Sequence, residues 1–419
     1  MRLAHFVHAY PERTETFISR QVDGLCARGH RVDVFTHRAP RHPDPDTLGE
    51  ARVLGLDAPG ARAHGRAGRW LRQGAVAAAA AVRHPRIAAA WLARSRPGVR
   101  RGLETLPRAP LLAREGPYDV VHCHYGDIGL ADGGAADYWS APLLVSFYGY
   151  DCSSYVAARG RDVFVPLFAA ADRVLVLGES MRARLVALGA PRDRIGIQPL
   201  GVDTDRIRPA ATPPEPGRVV TVARLVPKKG LDGALRAVAR VAAEGIDLRY
   251  EILGDGPLRG SLEALAASLG IDDRVRFRGL CSQAEVAEAL AGAAVFLLPS
   301  RTAPDGDEEG TPTVLLEAAS AGVPVVSTLH AGIPDIVAHG ETGVLVREDD
   351  ADALADALGG LLSSPEERAS MSRSARAHAV REHDVKELAR RLERHYEEAS
   401  ARNARRRSHN GPPPASRRA

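Results

Sequence analysis

The chain has 419 residues, about 45% of them apolar, and a formal net charge of +4. That is length enough for two domains with cores of their own. Cys26, Cys123, Cys152 and Cys281 share no close spacing, which argues against a cysteine metal site or a disulfide framework and for a reduced, cytoplasmic setting. No signal peptide is read at Met1, and no apolar run approaches the ~20 residues of a membrane span.

In chain order, Arg2 to Tyr10 reads as a first strand. Pro11 to Phe17 leads into a helix that Gly29 ends, and His30 to Thr36 is a second strand. The stretch Arg62 to Arg114 carries twelve arginines against one acid, Glu104, with Trp70 and Trp91 among alanines. It reads either as a basic amphipathic helix for an anionic membrane surface or as solvated helices in an arginine-rich chain. Asp119 to Tyr125, Leu143 to Tyr148, Arg173 to Leu177 and Ile195 to Leu200 are further strands. Strands recur near Val219, Tyr250, Val275, Val295, Val323 and Gly343, alternating with helical patterns. Such alternation predicts parallel, doubly wound α/β units. The division expected is a first domain over residues 1–207, a Pro-rich linker over 208–217 and a second domain over 218–383. A last helix follows over 384–400, and an Arg- and Pro-rich tail over 401–419 has the composition of a disordered segment.

Two segments carry chemistry. In Glu308 to Pro324, Thr311 reads as a helix N-cap and Pro312 as the first helical residue. Glu309 then lies on the loop before the helix and Glu317 inside it, with Pro312 to Glu317 spanning roughly 7–8 Å. The helix start, Gly310 to Thr313, suits a diphosphate, and the flanking carboxylates suit hydroxyls at both ends of a nucleotide sugar. The second segment, Val219 to Arg224, is a buried-strand pattern followed by Leu225-Val226-Pro227-Lys228-Lys229-Gly230. It sets cations at a strand's C-terminal end, where α/β sheets meet ligands. The chain has only three lysines, Lys228, Lys229 and Lys386, and two of them sit here.

The Glu309 to Glu317 segment resembles the Glu-(seven residues)-Glu signature of retaining family 4 glycosyltransferases, and Arg224 to Gly230 resembles that family's Arg-Leu-x-x-x-Lys-Gly element. The resemblance implies the GT-B fold: two Rossmann-like α/β domains facing a cleft, the last helix returning to the first domain. It implies that Glu309 meets donor-sugar hydroxyls, Glu317 the ribose, and Arg224 and Lys229 the diphosphate. Glu251 to Leu258, with its turn at Gly254, and Val275 to Leu280 look like family elements, with backbone near Gly279 and Leu280 facing the base. His330-Ala331-Gly332-Ile333-Pro334-Asp335 resembles the Gly-Ile-Pro-Glu/Asp element and is read as mainly structural.

Three segments of the first half point to the acceptor side. Tyr10 to Ile18 resembles the Ser-Glu-Thr-Phe loop of colanic-acid-type exopolysaccharide glycosyltransferases, with Thr14 in the serine's place. It is either a helix start that meets phosphate across the cleft or a plain capping segment. His122 and His124 alternate on a strand and so point the same way; a metal there would need a third ligand, which no spacing supplies. The resemblance places His124 near acceptor and donor sugar. Ser146 to Asp151 corresponds to the family's Thr-Phe-His-Gly, with Tyr148 at the histidine position. A phenol still donates a hydrogen bond but is a poor base near neutral pH, so a sugar contact is expected of Tyr148 rather than acid–base work. Asp203-Thr204-Asp205 and Asp305-Gly306-Asp307 are read as solvated loop acids rather than a magnesium site.

The implied reaction is retaining transfer of a sugar from a nucleotide-sugar donor, without metal or other cofactor, to a glycan, glycolipid or lipid-linked acceptor in exopolysaccharide or cell-envelope glycan synthesis. The expected location is cytoplasmic, or peripheral on the inner face of the cell membrane if the Arg-rich stretch binds anionic lipid. No nucleic-acid module is recognised. The alternatives are another GT-B enzyme, a glycosyltransferase acting on a small natural product, and a non-catalytic membrane- or glycan-associated binding protein.

Overall fold

The structure is a computed structural model that describes residues 1–12, 15–41, 43, 49–56, 82, 83, 85, 88, 89 and 109–409. Most of Arg62 to Arg114, and with it the membrane-surface expectation, lies outside the described residues, as does Thr14. Among the described residues no helix is long and apolar enough to cross a membrane.

Two parallel sheets organise the chain. The first contains β1 (Arg2–Ala9), β2 (Arg31–Arg38), β3 (Arg52–Gly55), β4 (Val120–His124), β5 (Leu143–Ser146), β6 (Arg173–Val176) and β7 (Ile195–Ile197), in the order β3-β2-β1-β4-β5-β6-β7. The second contains β8 (Arg218–Val222), β9 (Arg249–Leu253), β10 (Val275–Gly279), β11 (Val295–Leu298), β12 (Val325–Thr328) and β13 (Gly343–Val346), in the order β10-β9-β8-β11-β12-β13. Both are doubly wound, and in each the order reverses beside the first strand, which opens a crevice at the strands' C-terminal ends. Central strands such as β5 and β11 are buried at every residue, so they read as unbroken apolar runs. β3 escaped the sequence reading because it is a short edge strand, largely exposed. The strand expected to reach Tyr148 stops at Ser146, and the chain turns into the cleft there.

The helix Val385–His409 packs on the first sheet through Leu388, Ala389, Leu392, Tyr396 and Ala399, a stripe at helical spacing. Glu393 pairs with Arg28 and His30, both at 2.5 Å. The helix also runs nine residues past the end expected at Ser400. Residues 401–409 are therefore helical rather than a disordered tail, because Ala and Arg favour helix and the turns find partners. Arg402 pairs with Asp193 at 2.9 Å, and Asn403 donates to the Ser140 carbonyl at 3.2 Å.

Tyr396 carries the helix into a buried polar chain. Its hydroxyl lies 3.0 Å from His122 Nδ1 and 3.2 Å from His5 Nε2. His122 Nε2 meets Ser146 Oγ at 2.8 Å, His5 Nδ1 meets His124 Nε2 at 3.0 Å, and His124 Nδ1 meets the Tyr148 hydroxyl at 2.7 Å. His5 is the third histidine that sequence spacing did not supply. β1 pairs with β4 and sets His5 opposite His122, and ligand atoms of the three rings lie within 4.8 Å of one another. All three are buried, which pushes His5 down to about 3 and the others well below their ordinary range. Neutral rings have one proton each to give, so every ring nitrogen is satisfied along this chain, and a cation would have to break it. Tyr396→Phe keeps the ring packing but leaves nitrogens of His5 and His122 unpaired, an expected loss of about 1–3 kcal/mol. A lowered thermal unfolding midpoint checks this; an unchanged one contradicts it.

Candidate functional site

A cavity of about 370 Å³ opens where the two halves meet, at the C-terminal ends of β8 and β9. Arg224, Lys229, Gly254, Leu280, Glu309, Thr311, Pro312, Thr313 and Glu317 line it from the second half, and Thr16 and Phe17 from the first. Residues separated by almost a hundred positions, Arg224 to Glu317, thus line one cavity.

Local structure explains each placement. β8 ends at Val222, so Arg224 leaves the sheet at its C-terminal edge; among the described residues no carboxylate pairs with its side chain. Lys229 closes the short 3₁₀ turn Pro227–Lys229. Its ammonium lies 2.9 Å from Glu309 Oε1, which is buried in this ion pair. Burial opposes ionisation of Glu309, but Lys229 and Lys228 outweigh it and hold the carboxyl below its ordinary value. Lys228 faces the loop instead. It pairs with Asp307 at 3.0 Å and donates to the Glu308 carbonyl at 3.2 Å. Gly254, at φ +132, has no room for a Cβ beside the Ala223 carbonyl; it lets the β9 turn close on the end of β8.

The helix after the loop starts one residue later than expected. It spans Thr313–Ser320, and Pro312, at φ −67 and ψ 104, is its N-cap in place of Thr311. Proline's fixed φ suits the extended region as well as the first helical position, so the sequence signal was ambiguous by one residue. No side chain caps this helix, which leaves first-turn N–H groups at the cavity for an anion. Glu317, one turn on, is held across the cleft by Arg20, with Nη2 2.7 Å from Oε1. Arg20 also donates to the Gly201 carbonyl at 3.2 Å. One carboxylate oxygen of Glu317 is thereby committed to Arg20, and the residue lines the cavity.

Three expected site residues sit elsewhere. Gly310 lies at the cleft contact, where a Cβ would overlap the Tyr148 carbonyl oxygen. His124 is fully buried, and neither it nor Tyr148 lines the cavity. The Tyr148 hydroxyl lies 2.7 Å from His124 Nδ1, and its ring packs behind Phe17 with centroids 4.7 Å apart. Tyr148 thus stands behind Phe17 at the cavity wall, with its hydroxyl on the histidine chain. The Asp-x-Asp acids are engaged locally. Asp203 accepts the Asp205 and Arg206 N–H groups, Asp205 pairs with Arg208 and Lys386, Asp305 accepts the Asp307 N–H, and Asp307 pairs with Lys228.

Sequence reasoning missed Arg20, and it read as mainly structural the segment of His330, a buried side chain that pairs with the half-buried Glu348 behind Glu309. Arg20 and Glu317 stand 297 positions apart, and no local pattern links them.

Comparison with known proteins agrees with this geometry. The model described as Glycosyltransferase Family 4 matches residues 14–206, and the one described as Glycosyl transferases group 1 matches residues 203–378. The colanic acid biosynthesis glycosyltransferase WcaL of Salmonella typhimurium is 32% identical over 379 residues, covering 85% of this chain and 90% of the relative. The amylovoran biosynthesis glycosyltransferase AmsK of Erwinia amylovora is 30% identical over 379 residues, with the same 85% and 90% coverage. The structure of Anabaena HepE in complex with UDP and glucose superposes with a TM-score of 0.69 over 94% of this chain and 98% of that one; at 18% identity this likeness speaks for the fold. With both halves matched and relatives at this identity along most of their length, the chain belongs to the family 4 glycosyltransferases of GT-B fold, of the colanic-acid type.

Proposed function

We infer that the protein is a retaining, hexosyl-type glycosyltransferase that moves a sugar from a nucleoside-diphosphate donor to a glycan or lipid-linked acceptor in exopolysaccharide or cell-envelope glycan synthesis. The observation that carries this reading is the single cavity shared by Arg224, Lys229, the uncapped helix start at Thr313, Glu309 and Glu317. Breaking the bond from the anomeric carbon to the diphosphate oxygen leaves positive charge on the sugar and negative charge on the leaving group. Arg224, Lys229 and the helix N–H groups stabilise that negative charge where it develops. Glu309 holds sugar hydroxyls through its carboxylate at the cavity wall, and Glu317 holds the ribose. The acceptor oxygen bonds to the anomeric carbon on the face the diphosphate leaves, and its proton passes to the departing phosphate oxygen. No metal or protein nucleophile takes part in this reading, and the work is done at the cytoplasmic face.

Thermal shift with uridine, guanosine, adenosine and thymidine diphosphates and their sugars tests the donor class. One nucleotide is expected to raise the unfolding midpoint, and Glu317→Ala to abolish the rise; no response from any of them contradicts the reading. Lys229→Ala or Arg224→Ala is expected to lower turnover by about 10²–10³-fold in a folded protein. Lys229→Ala also removes the nearer cation from a buried carboxylate. Burial then dominates and raises the Glu309 pKa, so the acid limb of the kcat/KM profile moves to higher pH. An unmoved limb would separate Lys229 from Glu309 ionisation.

A further inference from the structure

The loop that carries Glu309 has no helix or strand to hold it between Pro304 and Pro312. One buried side chain meets its backbone at the decisive residue. His330, 1% exposed just beyond β12, accepts the Glu309 N–H at Nε2 over 3.1 Å. Its other nitrogen, Nδ1, lies 2.7 Å from Glu348 Oε1, and Glu348 Oε2 accepts the Thr302 N–H at 2.9 Å.

The chemistry of the partners settles the imidazole's state. A backbone N–H can only donate, so Nε2 must be bare. A carboxylate can only accept, so Nδ1 must carry the proton. Burial works against charge on Glu348, but the Thr302 N–H and His330 outweigh it and keep the carboxyl below its ordinary value. A second contact points the same way. Gly332, on the turn after His330, packs so closely on the 310–311 backbone that a Cβ would stand 3.1 Å from Thr311 Oγ1 and closer still to the Gly310 carbonyl.

We propose that His330 and Glu348 are positioning residues for Glu309: Glu348 holds His330 in the Nδ1–H tautomer, and the bare Nε2 pins the Glu309 backbone so that its carboxylate meets the donor sugar. Neither residue touches the cavity. This rests on the reading in which Glu309 orients that sugar. The segment looked merely structural in sequence because its partner, Glu309, lies 21 positions away in a coil.

The test uses steady-state transfer from the active donor, with nucleoside-diphosphate affinity measured alongside. Glu348→Gln keeps the size of the side chain, yet it breaks the tautomer logic in both orientations. With its oxygen toward His330, its amide N–H faces the Thr302 N–H. With its nitrogen toward His330, the imidazole is driven to the Nε2–H form, which faces the Glu309 N–H. Glu348→Gln and His330→Ala are each expected to lower kcat about 10–100-fold, the cost of slight misplacement of an orienting group, with nucleoside-diphosphate affinity unchanged. His330→Gln, whose amide oxygen can accept the Glu309 N–H, is expected to recover part of the loss. In Glu309→Gln both changes should add little further. Near-normal turnover of Glu309→Gln would overturn the reading of Glu309 itself, and this proposal with it. A crippled Glu309→Gln beside near-normal His330→Ala and Glu348→Gln would overturn the positioning role alone. Equal loss of nucleotide affinity and kcat would also overturn it, because that marks a general packing role. Should His330→Ala fail to fold, the Glu348→Gln result decides.

Discussion

A carboxylate as buried as Glu309 stays ionised only beside a cation, and Lys229 is that cation. Moving the pair out of water costs more than the Coulomb attraction alone returns unless further polar partners are present. The surroundings supply one in Lys228, whose ammonium lies 4.0 Å from Glu309 Oε1, and the cavity in front leaves room for a ligand to supply more. An arrangement of this kind is poor value for stability and is better understood as preparation for a ligand that brings its own charge and hydroxyls. The rest of the second half serves it. β8 ends where Arg224 and the lysine turn must begin, and the loop from β11 returns Glu309 to that turn.

The site belongs to both halves. Arg20 of the helix Thr16–Ala27 holds Glu317, Arg184 of the helix Glu179–Ala187 pairs with Glu308 at 2.8 Å, and Gly149 meets Gly310 so closely that neither position accepts a side chain without displacement. Asp335 packs onto Gly178 and receives backbone N–H bonds from Glu179 and Ser180 at the start of the helix Glu179–Ala187. The first three of these contacts land on, or next to, residues of the donor segment. Movement between the halves is therefore coupled to the geometry of Glu309 and Glu317, and the returning helix, tied in by Tyr396, holds the first half's side of that contact.

What could be read from the sequence was local. β-branched runs such as Val219 to Val222 announce buried parallel strands, and a lysine pair after one of them announces a cation site, because period and strand end are properties of neighbouring residues. Glu309 and Glu317 were legible for the same reason. The reading failed where a long-range partner decides the outcome. Nothing local to Tyr148 announced that His124 and Phe17 would sit against its hydroxyl and ring. His5 joined His122 only through sheet pairing. Residues 401–409 have a tail's composition, yet Asp193 and the Ser140 carbonyl give them reason to stay helical. Thr311 lost the cap by one position to a proline whose φ suits either role.

The central claim is that Lys229 and Arg224 exist for a diphosphate. The most direct measurement is a calorimetric titration of a nucleoside diphosphate and of its parent nucleoside into the native protein and into Lys229→Ala. The account predicts that the substitution sharply weakens the nucleoside diphosphate while leaving the nucleoside, held by Glu317 and the base-facing backbone, unchanged. Equal weakening of both ligands, or of neither, would contradict it.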